Sequence, residues 1–261
     1  MDILKIAQFA EGISIAAGKI LLREFRSKGI LISYKSRTNL VTNIDKESEI
    51  FIFNCIKKEY PDHSIIAEEG SRREIEGEFI WYIDPMDATN NYAHGIHHFC
   101  ISIGIFSTEM KKTVVGIVYD PFHDELFKGI INSGAFLNGT RITISEVNDI
   151  GISIIATGFP YNKVDRERNN LIEFNRVLPF VQGIRRMGSA ALDLSYVACG
   201  RFDGYWEPGL FSWDMAAGSL IVEEAGGKVS KYDGSPFDPE YPEILATNGK
   251  IHNRLMGLLK S

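Results

Sequence analysis

Residues 81–92 of the chain read Trp81-Tyr82-Ile83-Asp84-Pro85-Met86-Asp87-Ala88-Thr89-Asn90-Asn91-Tyr92. The apolar start predicts a β-strand that ends at the first aspartate, because Pro85 fixes the turn and removes a backbone donor. In a tight turn that opens a helix, the carboxylates of Asp84 and Asp87 can face one point. The N–H groups of the next three residues would then lie at a helix N-terminus, which suits a phosphate.

The oxygen atoms of this turn have a clear ligand preference. Carboxylates and a backbone carbonyl are hard ligands, which suit Mg²⁺, Mn²⁺ or Ca²⁺ better than Zn²⁺. The structural alternative is that Asp84 and Asp87 only cap a helix and shape a loop. The spacing of the two acids by itself leaves a metal site and a helix cap equally open.

Two further stretches place acids beside predicted secondary structure. Residues 65–70 run from an apolar strand directly into Glu68 and Glu69, and a strand end is a rigid place from which to aim a ligand. Residues 211–218 place Asp214 in the first turn of a predicted helix, where an acid favours the helix dipole. Taken singly, a solvated turn explains the glutamates and the dipole explains the aspartate. The aromatic neighbours of Asp214 are predicted to be core residues.

Apolar periodicity places the remaining elements. Apolar spacing of three and four residues predicts helices, and short β-branched and aromatic runs predict strands. The predicted helices are 2–25, 46–59, 190–199 and 213–225, and the predicted strands are 65–67, 79–83, 100–106, 114–119, 125–131 and 152–157. Because helices and strands alternate in blocks, the pattern predicts a layered α+β or α/β sandwich. No internal repeat is found, and the weak seam near 145–151 is not a domain boundary.

Composition restricts the class of protein. The 261 residues are 44% hydrophobic and 24% charged, with a formal net charge of −6. Nucleic-acid-binding domains usually carry a basic face, so no nucleic-acid partner is expected. No apolar run approaches the roughly 20 residues that span a bilayer, and no signal peptide is seen, so no membrane partner is expected. The widely spaced Cys55, Cys100 and Cys199 predict no disulfide framework, which favours a cytoplasmic location.

Taken together, the three acidic stretches resemble the signatures of the inositol monophosphatase family. This family lies within the lithium-sensitive, Mg²⁺-dependent phosphatase superfamily that includes the fructose-1,6-bisphosphatases. The signatures in this chain are Glu68-Glu69, Asp84-Pro85-Met86-Asp87-Ala88-Thr89 and Trp213-Asp214-Met215-Ala216-Ala217-Gly218. Residues 40–45, 134–139 and 185–207 also fit, so the resemblance runs nearly end to end.

The resemblance implies a fold and an assembly. The expected fold is α+β, a sandwich of α-β-α-β-α layers. It forms a single phosphatase domain over residues 1–261, built from two tightly packed halves at approximately 1–148 and 149–261. The family also implies a homodimer and inhibition by Li⁺.

The resemblance further implies a role for each matching residue, around two or three Mg²⁺ ions or Mn²⁺ in their place. The implied metal ligands are Glu68, Asp84, the Met86 carbonyl, Asp87 and Asp214. The implied catalytic residues, which orient and activate the attacking water, are Asp45, Glu68 and Thr89, with Asp45 hydrogen-bonded to Thr89. The implied substrate contacts are Asp87, Ala88, Thr89, Arg185, Gly188, Ser189, Ala190, Glu207 and Asp214. Arg185 lies either beside the substrate or at the subunit contact.

The chain departs from the family pattern at one position of the phosphate loop. The family usually has glycine where this chain has Ala88, and alanine resists a positive φ although it keeps the N–H donor. Ala88 is therefore expected to tune activity rather than abolish it. A second departure, Asn90 where threonine is common, still suits a helix start.

The implied reaction is hydrolysis of a small phosphate monoester, myo-inositol monophosphate first, by metal-activated water. Fructose-1,6-bisphosphate, histidinol phosphate and 3′-phosphoadenosine 5′-phosphate remain alternatives on related scaffolds, although Glu207 favours a polyol. No GxxxxGK[ST] sequence is present, which disfavours transfer from ATP. A different alternative is a catalytically weak regulatory binding protein, which only Ala88 favours.

Overall fold

A computed structural model of the chain describes residues 2–27, 29–37, 39–162, 164 and 168–260. Within these ranges the α-helices are α1 (Ile3–Glu24), α2 (Asn43–Glu59), α3 (Thr89–Ala93), α4 (Leu171–Val177), α5 (Ala190–Ala198), α6 (Ser212–Glu224) and α7 (His252–Lys260). The strands are β1 (Ile32–Tyr34), β2 (Leu40–Thr42), β3 (Ser64–Ala67), β4 (Arg72–Arg73), β5 (Phe79–Asp87), β6 (Cys100–Ser107), β7 (Lys112–Asp120), β8 (Glu125–Ile130), β9 (Gly134–Leu137), β10 (Thr140–Arg141), β11 (Ile154–Thr157), β12 (Gly183–Arg185), β13 (Gly204–Pro208), β14 (Lys228–Ser230) and β15 (Glu243–Thr247). Short 3₁₀ turns occupy Ile150–Ile152 and Leu178–Phe180.

The strands of the described chain form two main sheets and a small hairpin. The eight-stranded sheet has the order β10-β9-β8-β7-β6-β5-β3-β4, and only its β3–β5 pair is parallel. The five-stranded sheet has the order β12-β11-β13-β15-β14, in which β11 pairs in parallel with both of its neighbours. The hairpin is the antiparallel pair β1–β2.

Helices cover both faces of each main sheet. On one face of the eight-stranded sheet, α1 and α2 enclose a core that includes Ile52 and Trp81. On its other face, α5 and α6 pack between the two sheets around Leu194. The outer face of the five-stranded sheet buries Trp206 and Leu255 against α4 and α7. The predicted α+β fold with α-β-α-β-α layers is thereby confirmed.

Three glycines in register form a groove that seats α6. They are Gly104 on β6, Gly116 on β7 and Gly129 on β8, paired directly across the strands. A Cβ on Gly116 would lie 2.4 Å from the carbonyl oxygen of Ala217, closer than any side chain could pack. The backbone of α6 therefore lies against the sheet, and this contact determines where Asp214, in its first turn, is held.

The predicted helices are confirmed with small shifts at their ends, and α2 shows why. This helix begins at Asn43, three residues before the predicted start, because Thr42 is its N-cap. The Thr42 hydroxyl accepts the Asp45 N–H, and the Asp45 carboxylate accepts the Thr42 N–H at 2.8 Å. This capping box supplies partners to amide groups that a helix start leaves unpaired.

Two further global features concern membranes and thiols. None of the helices in the described ranges combines the length and the apolar character that a membrane span requires. Cys55, Cys100 and Cys199 are free thiols, and Cys100 is buried.

Candidate active site

A single pocket gathers acids from distant parts of the chain. Its wall includes Glu68 after β3, Asp84 and Asp87 on β5, Glu207 on β13 and Asp214 on α6. The pocket thus lies where the eight-stranded sheet, the five-stranded sheet and the start of α6 meet. We call it the acidic pocket.

An irregularity in β5 explains how two acids three residues apart share this pocket. Asp84 pairs with Ser102 on β6 and Asp87 pairs with Cys100. The segment of β5 between these pairs therefore contains one residue more than the segment of β6 opposite it. In a regular strand, residues three apart point to opposite faces, and the extra residue of a bulge removes that alternation. The predicted strand 79–83 was therefore too short, because Pro85 lies within the bulge instead of ending the strand.

The two aspartates of β5 are held by different parts of the fold. Asp84 Oδ1 accepts the Met86 N–H at 2.9 Å. Asp87 Oδ2 accepts the Ser189 hydroxyl at 2.6 Å and the Ala191 N–H at 2.9 Å, both at the start of α5. Burial raises the pKa of Asp87 to about 6 despite these bonds. Burial and the charges of neighbouring acids raise the pKa of Asp84 well above its usual value.

The loop that carries Glu68 is fixed by a residue that sequence reasoning missed. Glu49, a buried acid on α2, accepts the Glu69 N–H at 2.6 Å and the Ser71 N–H at 2.8 Å. Lys35 pairs with both glutamates of this loop, with its Nζ 2.9 Å from Glu68 Oε1 and 2.5 Å from Glu69 Oε1. An ammonium group thus occupies a position beside Glu68 where a cation is favourable.

A sequence signal for Glu49 was present in the helical spacing. Asp45, Ser48, Glu49, Ile52 and Ile56 form the buried face of α2, so three polar residues interrupt an apolar stripe. A polar group on a buried helix face needs a specific partner, which marks such positions for attention.

Asp214 is placed by its helix cap. Its Oδ2 accepts the Phe211 N–H at 2.7 Å at the first turn of α6. Burial and the charges of Asp87 and Glu68 raise the pKa of Asp214 well above its usual value. The prediction that Phe211 is a core residue was wrong: its ring is 59% exposed and stacks on Trp213, with centroids 4.8 Å apart.

Asp45 combines a structural role with a contact to the pocket. One carboxylate oxygen serves the capping box of α2, and the other lies 2.7 Å from Thr89 Oγ1. The Thr89 hydroxyl also lies 3.1 Å from the Met86 carbonyl. Asp45 is buried behind Thr89, and burial raises its pKa.

Ala88 adopts the backbone conformation that favours glycine. Its φ is +74° and its ψ is 46°, in the left-handed region, immediately before the five-residue helix α3. The side chain is only 6% exposed, so its methyl group is packed. The departure from the family pattern thus falls where a missing Cβ would relieve backbone strain.

Another part of the pocket wall is formed by Gly188, Ala190 and Glu207. The Tyr205 hydroxyl donates to Glu207 Oε2 at 2.5 Å. A Cβ at Gly158 would lie 2.0 Å from the same oxygen, so the absence of a side chain there makes room for the carboxylate. Burial raises the pKa of Glu207 to about 7.

Two of the substrate contacts implied by the sequence lie outside the pocket wall. Arg185 ends β12 with an exposed side chain, and the next residue, Arg186, lines the pocket instead. Ser189 is buried behind the wall, where its hydroxyl serves Asp87. Side-chain alternation explains why Arg186 and not Arg185 lines the pocket, because successive side chains of an extended chain point to opposite sides.

The donor set of the acidic pocket fits a hard divalent cation. All of its acidic side chains offer oxygen, which Mg²⁺ and Mn²⁺ prefer. Among the described residues, no three acidic, histidine or cysteine side chains are already grouped tightly enough to hold a metal ion. Asp84, Asp87 and Asp214 each accept a protein donor through one carboxylate oxygen, and the remaining lone pairs of each group can still bind a cation.

Comparison with known proteins gives consistent matches over the whole chain. The profile of the inositol monophosphatase family matches residues 2–261. An inositol-1-monophosphatase of Synechocystis sp. is 48% identical over 218 residues, covering 83% of this chain and 75% of that protein. A Nus factor SuhB of Pasteurella multocida is 42% identical over 220 residues, covering 84% of this chain and 82% of that protein. The solved structure of an inositol monophosphatase from Anabaena (Nostoc) sp. PCC 7120 superposes with a TM-score of 0.90 at 40% identity, covering 100% of this chain and 97% of that chain.

Proposed function

The chain belongs to the inositol monophosphatase family and is a phosphatase, and we propose that it hydrolyses a small polyol phosphate monoester with Mg²⁺ as its cofactor. Myo-inositol monophosphate is the first substrate to test. The observation that carries the proposal is the convergence of Glu68, Asp84, Asp87 and Asp214 on one pocket. Burial and neighbouring negative charge raise the pKa of Asp84, Asp87 and Asp214, so these acids are stable together in their charged forms only beside positive charge.

The cation site in this proposal comprises the four acids and one backbone group. Glu68, Asp84, Asp87, Asp214 and the Met86 carbonyl would hold two or three Mg²⁺ ions, or Mn²⁺. When bound, these ions supply positive charge that neutralises the phosphate and acidifies a nearby water. The raised pKa values of Asp84 and Asp214 support this assignment, since they show how strongly the pocket disfavours uncompensated negative charge.

The protein groups beside the cation site orient the reaction. The Thr89 hydroxyl donates to Asp45 at 2.7 Å, which leaves its lone pairs to accept a proton from the attacking water. Asp45, whose pKa is raised by burial, can take up the proton that Thr89 passes on. Glu68 would contact the same water, and the N–H groups of Ala88 and Thr89 would hold the phosphate.

The alcohol part of the ester would face Gly188, Ala190 and Glu207. The Glu207 carboxylate has lone pairs beyond the one that Tyr205 uses, and these can accept sugar or inositol hydroxyls. This favours a polyol over histidinol phosphate. Fructose-1,6-bisphosphate and 3′-phosphoadenosine 5′-phosphate remain alternative substrates of the same site.

The two residues outside the wall take supporting roles in the proposal. Ser189 positions Asp87 from behind, with its hydroxyl 2.6 Å from that carboxylate. Arg185, exposed at the end of β12, is assigned to the subunit contact of the proposed homodimer. Sedimentation of the protein and of an Arg185→Glu variant tests that assignment, and an unchanged dimer in the variant would contradict it.

The test is phosphate release from the four candidate esters, with Mg²⁺ or with EDTA. Asp87→Asn should lower turnover by at least about 100-fold, because it removes the charge of a ligand while its shape remains. Asp62→Asn, which removes the same charge from an exposed loop, is the matched control and should be unaffected. Near-normal turnover in folded Asp87→Asn protein, or full turnover in EDTA, would overturn the metal assignment.

A second candidate function is a regulatory binding protein that retains the fold. The observation that favours it is the strained Ala88 in the phosphate loop, together with relatives that carry the name Nus factor SuhB. Folded protein that releases no phosphate from any of the four esters, at any Mg²⁺ concentration, would favour this function over hydrolysis.

A further inference from the structure

Residues 158–161 form the part of the acidic-pocket wall that directly follows β11. The first of them, Gly158, lies against Glu207 and leaves room for its carboxylate. The position of Gly158 relative to β13 therefore determines where this carboxylate can lie. Whatever fixes the end of β11 against β13 thus also shapes the alcohol side of the pocket.

Asn170, which directly precedes α4, fixes the end of β11 through its side-chain amide. The two Nδ2 hydrogens are donated to Thr157 Oγ1 at 2.8 Å and to the Gly158 carbonyl at 2.5 Å. The Oδ1 atom accepts the Trp206 Nε1–H at 2.7 Å. The side chains of Asn170, Thr157 and Trp206 are all fully buried. One buried amide thereby ties the last residue of β11, and the residue after it, to a ring on β13.

Strand register places this tie directly behind Glu207. Thr157 pairs with Trp206 across the parallel strands β11 and β13, and Glu207 is the next residue of β13. The Thr157 hydroxyl also donates to the Trp206 carbonyl at 2.7 Å, which holds the peptide that joins Trp206 to Glu207. Because successive side chains of a strand point to opposite faces, Trp206 meets Asn170 on the outer face of the sheet while Glu207 enters the pocket.

The backbone of Asn170 directs its amide toward the strands. Its φ of +71° lies in the left-handed region, which asparagine adopts more readily than most residues. Asparagine at a helix start commonly caps the helix, but within the described part of the chain this side chain forms no capping bond with α4. The hydrogen bonds of the amide therefore serve the two strand ends and not its own helix.

Binding several hydroxyl groups requires a carboxylate in a fixed position, because a hydrogen bond weakens steeply when its geometry is disturbed. We propose that Asn170 is a positioning residue, which holds Gly158 and Glu207 in the arrangement that binds the alcohol part of the ester. Asn170 lies outside the pocket wall, so it acts only through the two strand ends. This inference rests on the proposed function, in which Glu207 accepts the hydroxyls of a polyol.

Asn170→Gly tests the role of the amide, since glycine adopts the left-handed backbone without strain. We would measure kcat, KM and the Mg²⁺ requirement with myo-inositol 1-phosphate as the substrate. KM should rise about 10-fold, because a displaced Glu207 binds the alcohol part less well. Both kcat at saturating substrate and the half-saturating Mg²⁺ concentration should stay within about 3-fold of wild type. A purely structural tie would lower the free energy of unfolding and leave KM unchanged.

Asn248→Gly is the matched control for the loss of a buried amide. Asn248 is also buried, and its Nδ2 also donates two hydrogen bonds, to Ser145 Oγ at 2.8 Å and to the Val147 carbonyl at 2.7 Å. It follows β15, at the end of the β13–β15 pair opposite to Glu207. The control should therefore lower the free energy of unfolding without changing KM.

A double-mutant cycle shows whether the effect of Asn170 passes through Glu207. In a Glu207→Ala background, Asn170→Gly should raise KM by less than about 2-fold, because the carboxylate that it positions is already absent. A further rise of about 10-fold in that background would overturn the inference. A normal KM in Asn170→Gly, or an equal rise in Asn248→Gly, would also overturn it.

A second variant decides the inference if Asn170→Gly does not fold. Thr157→Val keeps the shape of the side chain and removes the hydroxyl that joins Asn170 to the Trp206 carbonyl. KM should then rise at least about 3-fold, and a normal KM would refute the inference.

The Glu207→Ala variant separates this inference from the proposed function. A raised KM in Glu207→Ala together with a normal KM in Asn170→Gly would overturn the inference alone. A normal KM in Glu207→Ala would contradict the polyol assignment and the inference with it. If the wild type hydrolyses no ester, the proposed function fails, and calorimetric titration of the same variants with myo-inositol 1-phosphate decides the inference through Kd in place of KM.

Discussion

Replacing Ala88 by glycine tests whether the strained residue of the phosphate loop limits this protein. Ala88 has φ +74°, and a left-handed backbone costs an L-residue about 1–2 kcal/mol, which glycine would recover. Glycine also lowers the free energy of unfolding by about 0.4–1 kcal/mol, because the unfolded chain has more conformational freedom with glycine than with alanine. Removing the packed methyl group costs about 0.8 kcal/mol more. The gain and the loss nearly cancel, so the free energy of unfolding should change by less than about 1 kcal/mol.

Activity should also change little in Ala88→Gly. The substitution keeps the N–H donor, and glycine adopts the same φ and ψ without strain. We therefore expect kcat/KM for the best ester to stay within about 3-fold of wild type. The assays are urea unfolding and Mg²⁺-dependent phosphate release.

A matched control separates the left-handed backbone from the lost methyl group. Ala10 is fully buried in the interior of the right-handed helix α1, so Ala10→Gly removes the same group with no strain to recover. Ala10→Gly should lower the free energy of unfolding by about 1 kcal/mol through helix propensity and by about 0.8 kcal/mol more through the lost burial of the methyl group. Equal destabilisation by both substitutions would refute the strain argument. A gain above about 10-fold in kcat/KM for Ala88→Gly would show that alanine distorts the phosphate loop.

Three further predictions follow from contacts around the pocket. Glu49→Gln weakens the acceptor of the Glu69 and Ser71 N–H groups. The Mg²⁺ concentration that gives half-maximal activity should therefore rise about 10-fold, while kcat at saturating Mg²⁺ stays near wild type. An unchanged Mg²⁺ requirement would argue against this role. Burial raises the Glu207 pKa to about 7, so its ionised fraction grows as pH increases. The polyol kcat/KM should therefore rise more steeply between about pH 6 and 8 in wild type than in Glu207→Gln. Parallel profiles would contradict the assignment. In Gly158→Ala the new Cβ would lie 2.0 Å from Glu207 Oε2 and would displace this carboxylate. The KM for a polyol ester should therefore rise, while the Mg²⁺ requirement stays unchanged. A normal KM would show that polyol binding does not need the Glu207 carboxylate in this position.

Much of the secondary structure was predictable, and the elements that were not predicted include short strands as well as β13, β15, α4 and α7. The long helices α1 and α6 carry several turns of apolar spacing, and their predicted ranges are confirmed within a few residues. The strands β12 and β14 have three residues each, too few for a periodic signal. They exist because neighbouring strands pair with them, a contribution that a local window of sequence does not contain.

Glu68 and Asp214 each occupy a local position that favours an acid, but the family resemblance is what marked them as implied metal ligands. Glu68 comes directly after a strand, and Asp214 lies in the first turn of a helix. Asp45 lies in the first turn of α2, but its contact with Thr89, 44 residues away, was expected only from the family resemblance. Local positions depend on a few adjacent residues, and for that reason the sequence alone reveals them.

Only the tertiary structure decided how these residues combine. The β5 bulge turns Asp84 and Asp87 to one side, and the bulge is visible only in the register with β6. Likewise, the choice of Arg186 over Arg185 at the pocket depends on which residue at the end of β12 faces the pocket. The physical reason is the same in both cases. Local spacing determines the conformation of a segment, whereas the direction in which a side chain points is set by packing against segments distant in sequence.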